Sequence, residues 1–280
     1  MRKCLFCTAL CISVQLSVAQ TALQSPSATA IGSGAYSYKN VNTFSFTSNQ
    51  AALARIHSVS AGLYTERRYL LKELSLYTLA LTLPVKQGSF GIQARYYGFL
   101  QYNEMMAGLA YGLKLGEKAD VGIQFNYNSI RAAGYGSAAA ISVEAGAIFH
   151  LTGKLNFGLH LNNPFGGYYF KGRGDKLPYI YTTALGYQAS DNLFISTELQ
   201  KEEDRPVQVN SGLQYRFLPN LMAAGGFATG SSTWWLGFGT IIKKMRVDVL
   251  ASYHPRLGIT PGLLLIFNYR TASLKEEVAD

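Results

Sequence analysis

The sequence predicts an all-β protein, a transmembrane antiparallel β-barrel of about fourteen strands with a short N-terminal segment that is not part of the wall. Three observations carry that class. Apolar and polar residues alternate with a period of two through most of the chain. After the first twenty residues, no uncharged apolar run approaches the length of a membrane-crossing helix. A chain that is 48% hydrophobic and 15% charged, with 28 Gly and 19 Tyr, suits strands that turn half of their residues to lipid.

The stretch "YTTALGYQASDNLFISTELQ" shows the pattern as a hairpin turning at Asp191-Asn192, with Leu185 on the apolar face and Ala184 on the other. Alternation alone also fits a soluble sandwich or barrel with its apolar face inside. The polar face is rich in Gly, Asn, Gln, Ser and isolated charges, a poor filling for a dry core, so the apolar face is assigned to lipid.

Taken in order, residues 1–19 read as a secretory signal peptide: Arg2 and Lys3 precede a short apolar run that ends at Ser17-Val18-Ala19, with cleavage expected before Gln20. A lipoprotein signal is excluded, because Leu10 precedes Cys11 and Phe6 precedes Cys7 where a small residue is needed. All three cysteines lie in this segment, so the mature chain has no disulfide framework. Removing Arg2 and Lys3 from 25 basic residues leaves 23 against 16 acidic ones, a net charge of +7. These charges are scattered through strand-like runs rather than clustered on a helix, which argues against a nucleic-acid partner.

Residues 20–57 are Ser-, Ala- and Gly-rich without steady alternation and form the leader. Alternation then recurs through 58–271, the barrel. In "VGIQFNYN" Phe125 and Tyr127 oppose Gln124 and Asn126; in "KLNFGLHLN" Leu159 and Leu161 oppose His160 and Asn162. Short connections near Gln87-Gly88, Gly116 to Ala119, Gly153-Lys154, Asp191-Asn192, Pro219-Asn220 and Lys243-Lys244 alternate with mostly longer ones. Short turns on one rim and longer loops on the other is an outer-membrane arrangement with the short side periplasmic. Residues 272–280 form a charged periplasmic tail.

The leader "IGSGAYSYKNVNTFSFTSNQAALARI" resembles the entrance segment of the FadL-type outer-membrane family, in particular its PorV/PorQ-like members from Bacteroidota. A glycine-rich G-x-G-A segment (Gly32, Gly34, Ala35) precedes Asn49, Gln50, Ala51, Ala52, Leu53 and Ala54, similar to that family's Asn-Pro-Ala-x-Leu-Ala motif with Gln50 in the proline position. The runs "LHLNNPFGGYYF", "LPYIYTTALGY", "SGLQYRF" and "SYHPRLGITPGLLLIFNY" are similar to its late strands. The resemblance implies a monomeric barrel of fourteen strands with the N-terminal segment folded into the lumen as a hatch.

Among chemistry-bearing residues, alternation points Arg95, Lys114, Glu144, His150, Lys154, His160, Glu198, Arg216, Arg246 and Asp248 inward, as a lumen lining or a ladder of compensating charges. The four histidines show no metal-ligand spacing, and neither a G-x-S-x-G elbow nor another nucleophile motif occurs, so no metal, cofactor or enzymatic activity is expected. The longest loop carries Tyr168, Tyr169, Phe170, Lys171 and Arg173, an aromatic and basic set suited to contact with an amphipathic solute or a partner protein. Its Arg173-Gly174-Asp175 tripeptide is short enough to recur by chance.

Two functions follow as expectations. One is an outer-membrane channel of a Gram-negative bacterium, passing small hydrophobic or amphipathic molecules as FadL-like proteins do. The other is a PorV/PorQ-like accessory barrel that holds secreted proteins or a type IX secretion or surface-attachment machine at the outer membrane.

Overall fold

A computed structural model describes residues 31–164, 166–168 and 176–269. The expected signal peptide (1–19), the loop residues Tyr169, Phe170, Lys171 and Arg173, and the tail (272–280) lie outside the described residues, and of Tyr168 only the backbone is described.

Alternation produces strands where it was expected. They are β1 (Val59–Arg67), β2 (Ser75–Val85), β3 (Gly88–Gly98), β4 (Tyr102–Lys114), β5 (Ala119–Ala132), β6 (Gly136–His150), β7 (Leu155–Asn162), the short pair β8 (Gly167–Tyr168) and β9 (Lys176–Leu177), β10 (Ile180–Gln188), β11 (Leu193–Glu202), β12 (Gln208–Leu218), β13 (Leu221–Ala228), β14 (Thr233–Ile242), β15 (Met245–His254) and β16 (Gly258–Tyr269). All but β8 and β9 pair in chain order into one closed barrel of fourteen strands. β1 closes antiparallel on β16, with Val59 opposite Tyr269 and Glu66 opposite Gly262. Closure satisfies every backbone ladder within the wall and leaves no edge, the condition for a sheet in lipid.

The faces decide between membrane and soluble readings. Leu185 is 48% exposed and Ala184 2%; Leu236 and Phe238 are each 64% exposed, while Gln93, Gln124 and Asn126 on the inner face are buried. An apolar outside around a polar inside is the reverse of a soluble barrel, and it makes this a transmembrane one. Among the described residues no helix is long and apolar enough to cross a membrane. Tyrosines stand on the outer face near both ends of β10, at Tyr181 and Tyr187.

All the expected short turns lie on one rim, which also carries Val59 and Tyr269, the two ends of the wall. The opposite rim departs from expectation. Its connections at 68–74 and 163–179 are long, but those at 99–101, 133–135 and 255–257 are tight. Glycines permit this: Gly134 and Gly258 take φ of 81° and 93°, the left-handed region that other side chains avoid.

Residues 31–58 contribute no strand, and most of them lie inside the barrel, with Tyr38, Lys39 and His57 exposed at its rim. Three 3-10 turns, Ser33–Tyr36, Ser45–Thr47 and Gln50–Arg55, keep the segment compact. Phe44, Phe46, Leu53 and Ile56 cluster with Tyr64, Leu76, Leu264 and Ile266 of the wall. This explains why "LLLIF" in β16 is apolar without interruption: Leu263, Leu265 and Phe267 face outward, and Leu264 and Ile266 face the segment.

Candidate functional site: the filled lumen and its cavity

The wall receives the N-terminal segment where it has no side chains. A Cβ at Gly112 or Gly122 would fall within van der Waals distance of the Gln50 backbone, one at Gly146 would strike Asn49, and one at Gly158 or Gly186 would strike Tyr36. These glycines come from β4, β5, β6, β7 and β10, so five adjacent strands of the fourteen offer a bare backbone surface.

Polar bonds fix the segment on that surface. The Asn49 side chain accepts from Ala51 N at 3.1 Å, capping the third 3-10 turn, and donates to the carbonyls of Ala147 and Leu159 at 3.3 and 3.0 Å. Gln50, fully buried, donates from Nε2 to Glu144 at 2.7 Å. Glu144 also accepts from Asn126 Nδ2 at 2.7 Å and lies 3.0 Å from His160 Nε2. The residue in the position of the family's proline is therefore a donor to the wall, and the 3-10 turn that begins at Gln50 forms without proline. Gly32 and Gly34 pack within the segment, against Ser48 and the Asn40 carbonyl, and Ala51 and Leu53 are completely buried.

Toward the turn-bearing rim the segment is held by charge. Arg55 Nε and His150 Nε2 approach Asp120 Oδ2 at 2.6 and 2.8 Å; His150 Nδ1 lies 2.8 Å from Asn156 Oδ1, and Asn156 donates to the Tyr36 carbonyl at 2.8 Å. Arg216 donates to Asn40 at 3.0 Å, and Lys39 meets Asp191 at 2.6 Å. Arg246 and Asp248 pair with each other on β15.

Of the ten charged residues expected inside, eight face inward: Arg95, Glu144, His150, His160, Glu198, Arg216, Arg246 and Asp248. Two stand at the rim. Lys154 lies in the turn before β7, where alternation was read past the end of the strand, and Lys114 ends β4 on its inner face, opposite Asp120; both are exposed. Ala184 faces the segment rather than open water, packed with Tyr36, Ala51 and Ala52. Asp120 and Arg55 were missed, although stepping back by two from Gly122 puts Asp120 on the inner face.

Between the segment and the loop-bearing rim a cavity of about 230 Å³ remains, with Thr47 and Ser48 as its floor. Most residues that line it are polar, among them Arg95, Asn126, Glu144, His160, Glu198 and Asn210, with Met106, Leu177, Pro178, Ile180 and Ala228 apolar, and the surface they present is polar and apolar in nearly equal parts. Tyr69 and Arg68, from the loop after β1, reach its mouth, as does the pair Arg205–Glu202. Among the described residues no group of three His, Cys, Asp or Glu could hold a metal ion.

The barrel architecture matches solved structures over most of the chain. The Ralstonia pickettii toluene transporter TbuX superposes with a TM-score of 0.63 at 13% identity, covering 89% of this chain and 98% of that one. The fold is that of the FadL-type barrels. The Pseudomonas putida toluene transporter TodX matches with a TM-score of 0.61 at 11% identity, over 86% of this chain and 96% of its own, and a Pseudomonas aeruginosa FadL homologue with 0.55 at 11%, over 81% and 93%. No protein-family model and no curated protein sequence matches the chain. At such identities the likeness to the FadL-type fold concerns architecture, and the lining of the lumen is this chain's own.

Proposed function

We propose that this protein is an outer-membrane channel whose lumen is closed at rest by its N-terminal segment, which acts as a hatch, and which admits small amphipathic molecules from the loop-bearing rim. One observation carries the reading. The segment fills the lumen beneath the cavity, and on the β4–β10 side hydrogen bonds and an ion pair, which water can replace, hold it beside a small apolar cluster of Tyr36, Ala51 and Ala52 with Ile148 and Ala184. TbuX and TodX are toluene transporters, which supports passage of small apolar molecules by the same fold. The cavity here presents polar and apolar surface in nearly equal parts, which favours solutes that carry both kinds of surface.

Planar-bilayer conductance of the full chain and of a variant lacking residues 20–57 tests this reading. The full chain should be nearly silent and the deletion should conduct, with flux of amphipathic solutes exceeding that of equally sized sugars. A deletion variant that folds and stays sealed overturns it. A sealed barrel that instead co-purifies with a secreted protein would favour the PorV/PorQ-like accessory role.

A further inference from the structure

The two rims of the barrel carry different charge. On the rim of short turns, Lys86, Lys114, Lys118, Lys154, Lys243 and Lys244 are all exposed. Among the described residues of those turns, the acidic ones are Glu117 and Asp191, and Asp191 is taken up by Lys39. Among the described residues of the opposite rim the signs nearly balance: Arg68 pairs with Glu66 and Arg205 with Glu202, Lys72 adjoins Glu73, and Arg67, Arg131, Lys201 and Arg256 stand with Glu104, Glu203 and Asp204.

The lysines are also grouped around the circumference. They occupy the turns β14–β15, β2–β3, β4–β5 and β6–β7, a continuous arc through the β16–β1 closure. The turns β10–β11 and β12–β13 carry none. Their position along the barrel axis is fixed by their neighbours. Lys86 follows the outward Val85, and Lys243-Lys244 lie between the exposed Ile242 and Met245. The Lys244 ammonium sits 5.7 Å from the ring centre of Tyr269, which is 63% exposed on the outer face. That contact directs Lys244 along the lipid-facing surface rather than into the lumen. Aromatic rings at the edge of an apolar band with ammonium groups just beyond them is the arrangement that places positive charge at the level of lipid phosphates.

We propose that this arc binds the headgroups of anionic phospholipids in the leaflet that surrounds the turn-bearing rim. Gathered on one rim, the six ammonium groups act on the same leaflet, each attracting the headgroups that diffuse past it, and the attraction of each is screened by salt.

The test uses the full chain reconstituted in phosphatidylcholine with a trace of spin-labelled lipid, reading the fraction of label immobilised at the barrel. Labelled phosphatidylglycerol should associate several-fold more strongly than labelled phosphatidylcholine at low salt, and the preference should fall toward unity as salt rises. Replacing all six lysines by Gln should abolish it, and replacing them by Arg should retain it. Replacing Lys244 alone should weaken it, which covers the case in which the sixfold variant does not fold. Equal association of the two lipids with the unaltered protein overturns the proposal, as does a preference that survives the sixfold Gln variant. Displacement of phosphatidylglycerol by millimolar inorganic phosphate would also overturn it, by showing a site for the free ion rather than for a headgroup in the leaflet.

Discussion

Glu144 is the residue on which the filled lumen turns, because the N-terminal segment, β5 and β7 all reach it through Gln50, Asn126 and His160. Replacing Gln50 by Ala removes one of three partners from a buried carboxylate, and a loss of about 1–3 kcal/mol is expected, measurable as a lowered midpoint of thermal unfolding. The β10–β11 hairpin gives a paired test. Leu185→Arg puts a charge against lipid and should cost about 2–4 kcal/mol, whereas Ala184→Arg collides with Tyr36 and Ala51. Both positions are thus sensitive, so stability alone does not separate them. A spin label at 185 should be accessible to oxygen, and one at 184 should be shielded from oxygen and from a water-soluble nickel complex alike. A label at 184 that meets the nickel complex would mean that the segment does not occupy the lumen. Alternation showed which way Leu185 and Ala184 point, since period two is a property of the strand itself. It was silent on Gln50 and Arg55, because their partners lie 94 and 65 residues away in the chain.

Among the elements, the strands were legible in the sequence and the segment's seat was not. A strand announces itself locally, through its own alternation and the turn residues that flank it. Gly112, Gly122 and Gly146 look like ordinary strand glycines until the segment is placed against them. Gly122→Leu should therefore leave the barrel folded and displace the segment, seen as raised conductance with unchanged strand content by circular dichroism. An unaltered, silent channel would show that the seat tolerates bulk. The resemblance to a family entrance motif indicated that the segment enters the lumen. The motif residues Asn49, Ala51 and Leu53 are buried, while Gly32 and Gly34 pack against Ser48 and the Asn40 carbonyl of the segment itself.

For the whole molecule, closure without an edge predicts resistance to SDS at room temperature and a change of mobility on boiling; identical migration of both samples would count against the barrel. Acid should loosen the segment at its rim. Lys39, by hydrogen bond and by charge, holds the Asp191 carboxyl below its ordinary pKa. A carboxylate lowered in the folded state contributes its stability above the ordinary value and loses it as pH falls through the lowered one. Conductance of the full chain should thus rise on the acid side of the carboxylate range, and Asp191→Asn should remove part of that dependence. The net basic charge was plain in the sequence, but the gathering of six lysines on one rim depended on which turns the topology brings together there.

The segment's two sides are unlike, and that difference gives it a direction of travel. Toward β16, β1, β2 and β3 it adheres through Phe44, Phe46, Leu53 and Ile56, contacts that water penalises when they part. Toward β5, β6 and β7 it adheres mainly through groups that water can satisfy instead, beside the smaller apolar contacts of Tyr36, Ala51 and Ala52. The chain also leaves the segment on the apolar side, directly into β1 at Val59. Hinge and tether therefore coincide, and the segment should swing like a door from its hydrogen-bonded seam. Bridging the hinge with Phe44→Cys and Gly62→Cys should leave solute flux intact, while bridging the seam with Asn49→Cys and Gly146→Cys should stop it until a reductant is added. These pairs would be the only thiols in the described part of a chain whose own cysteines all precede residue 12.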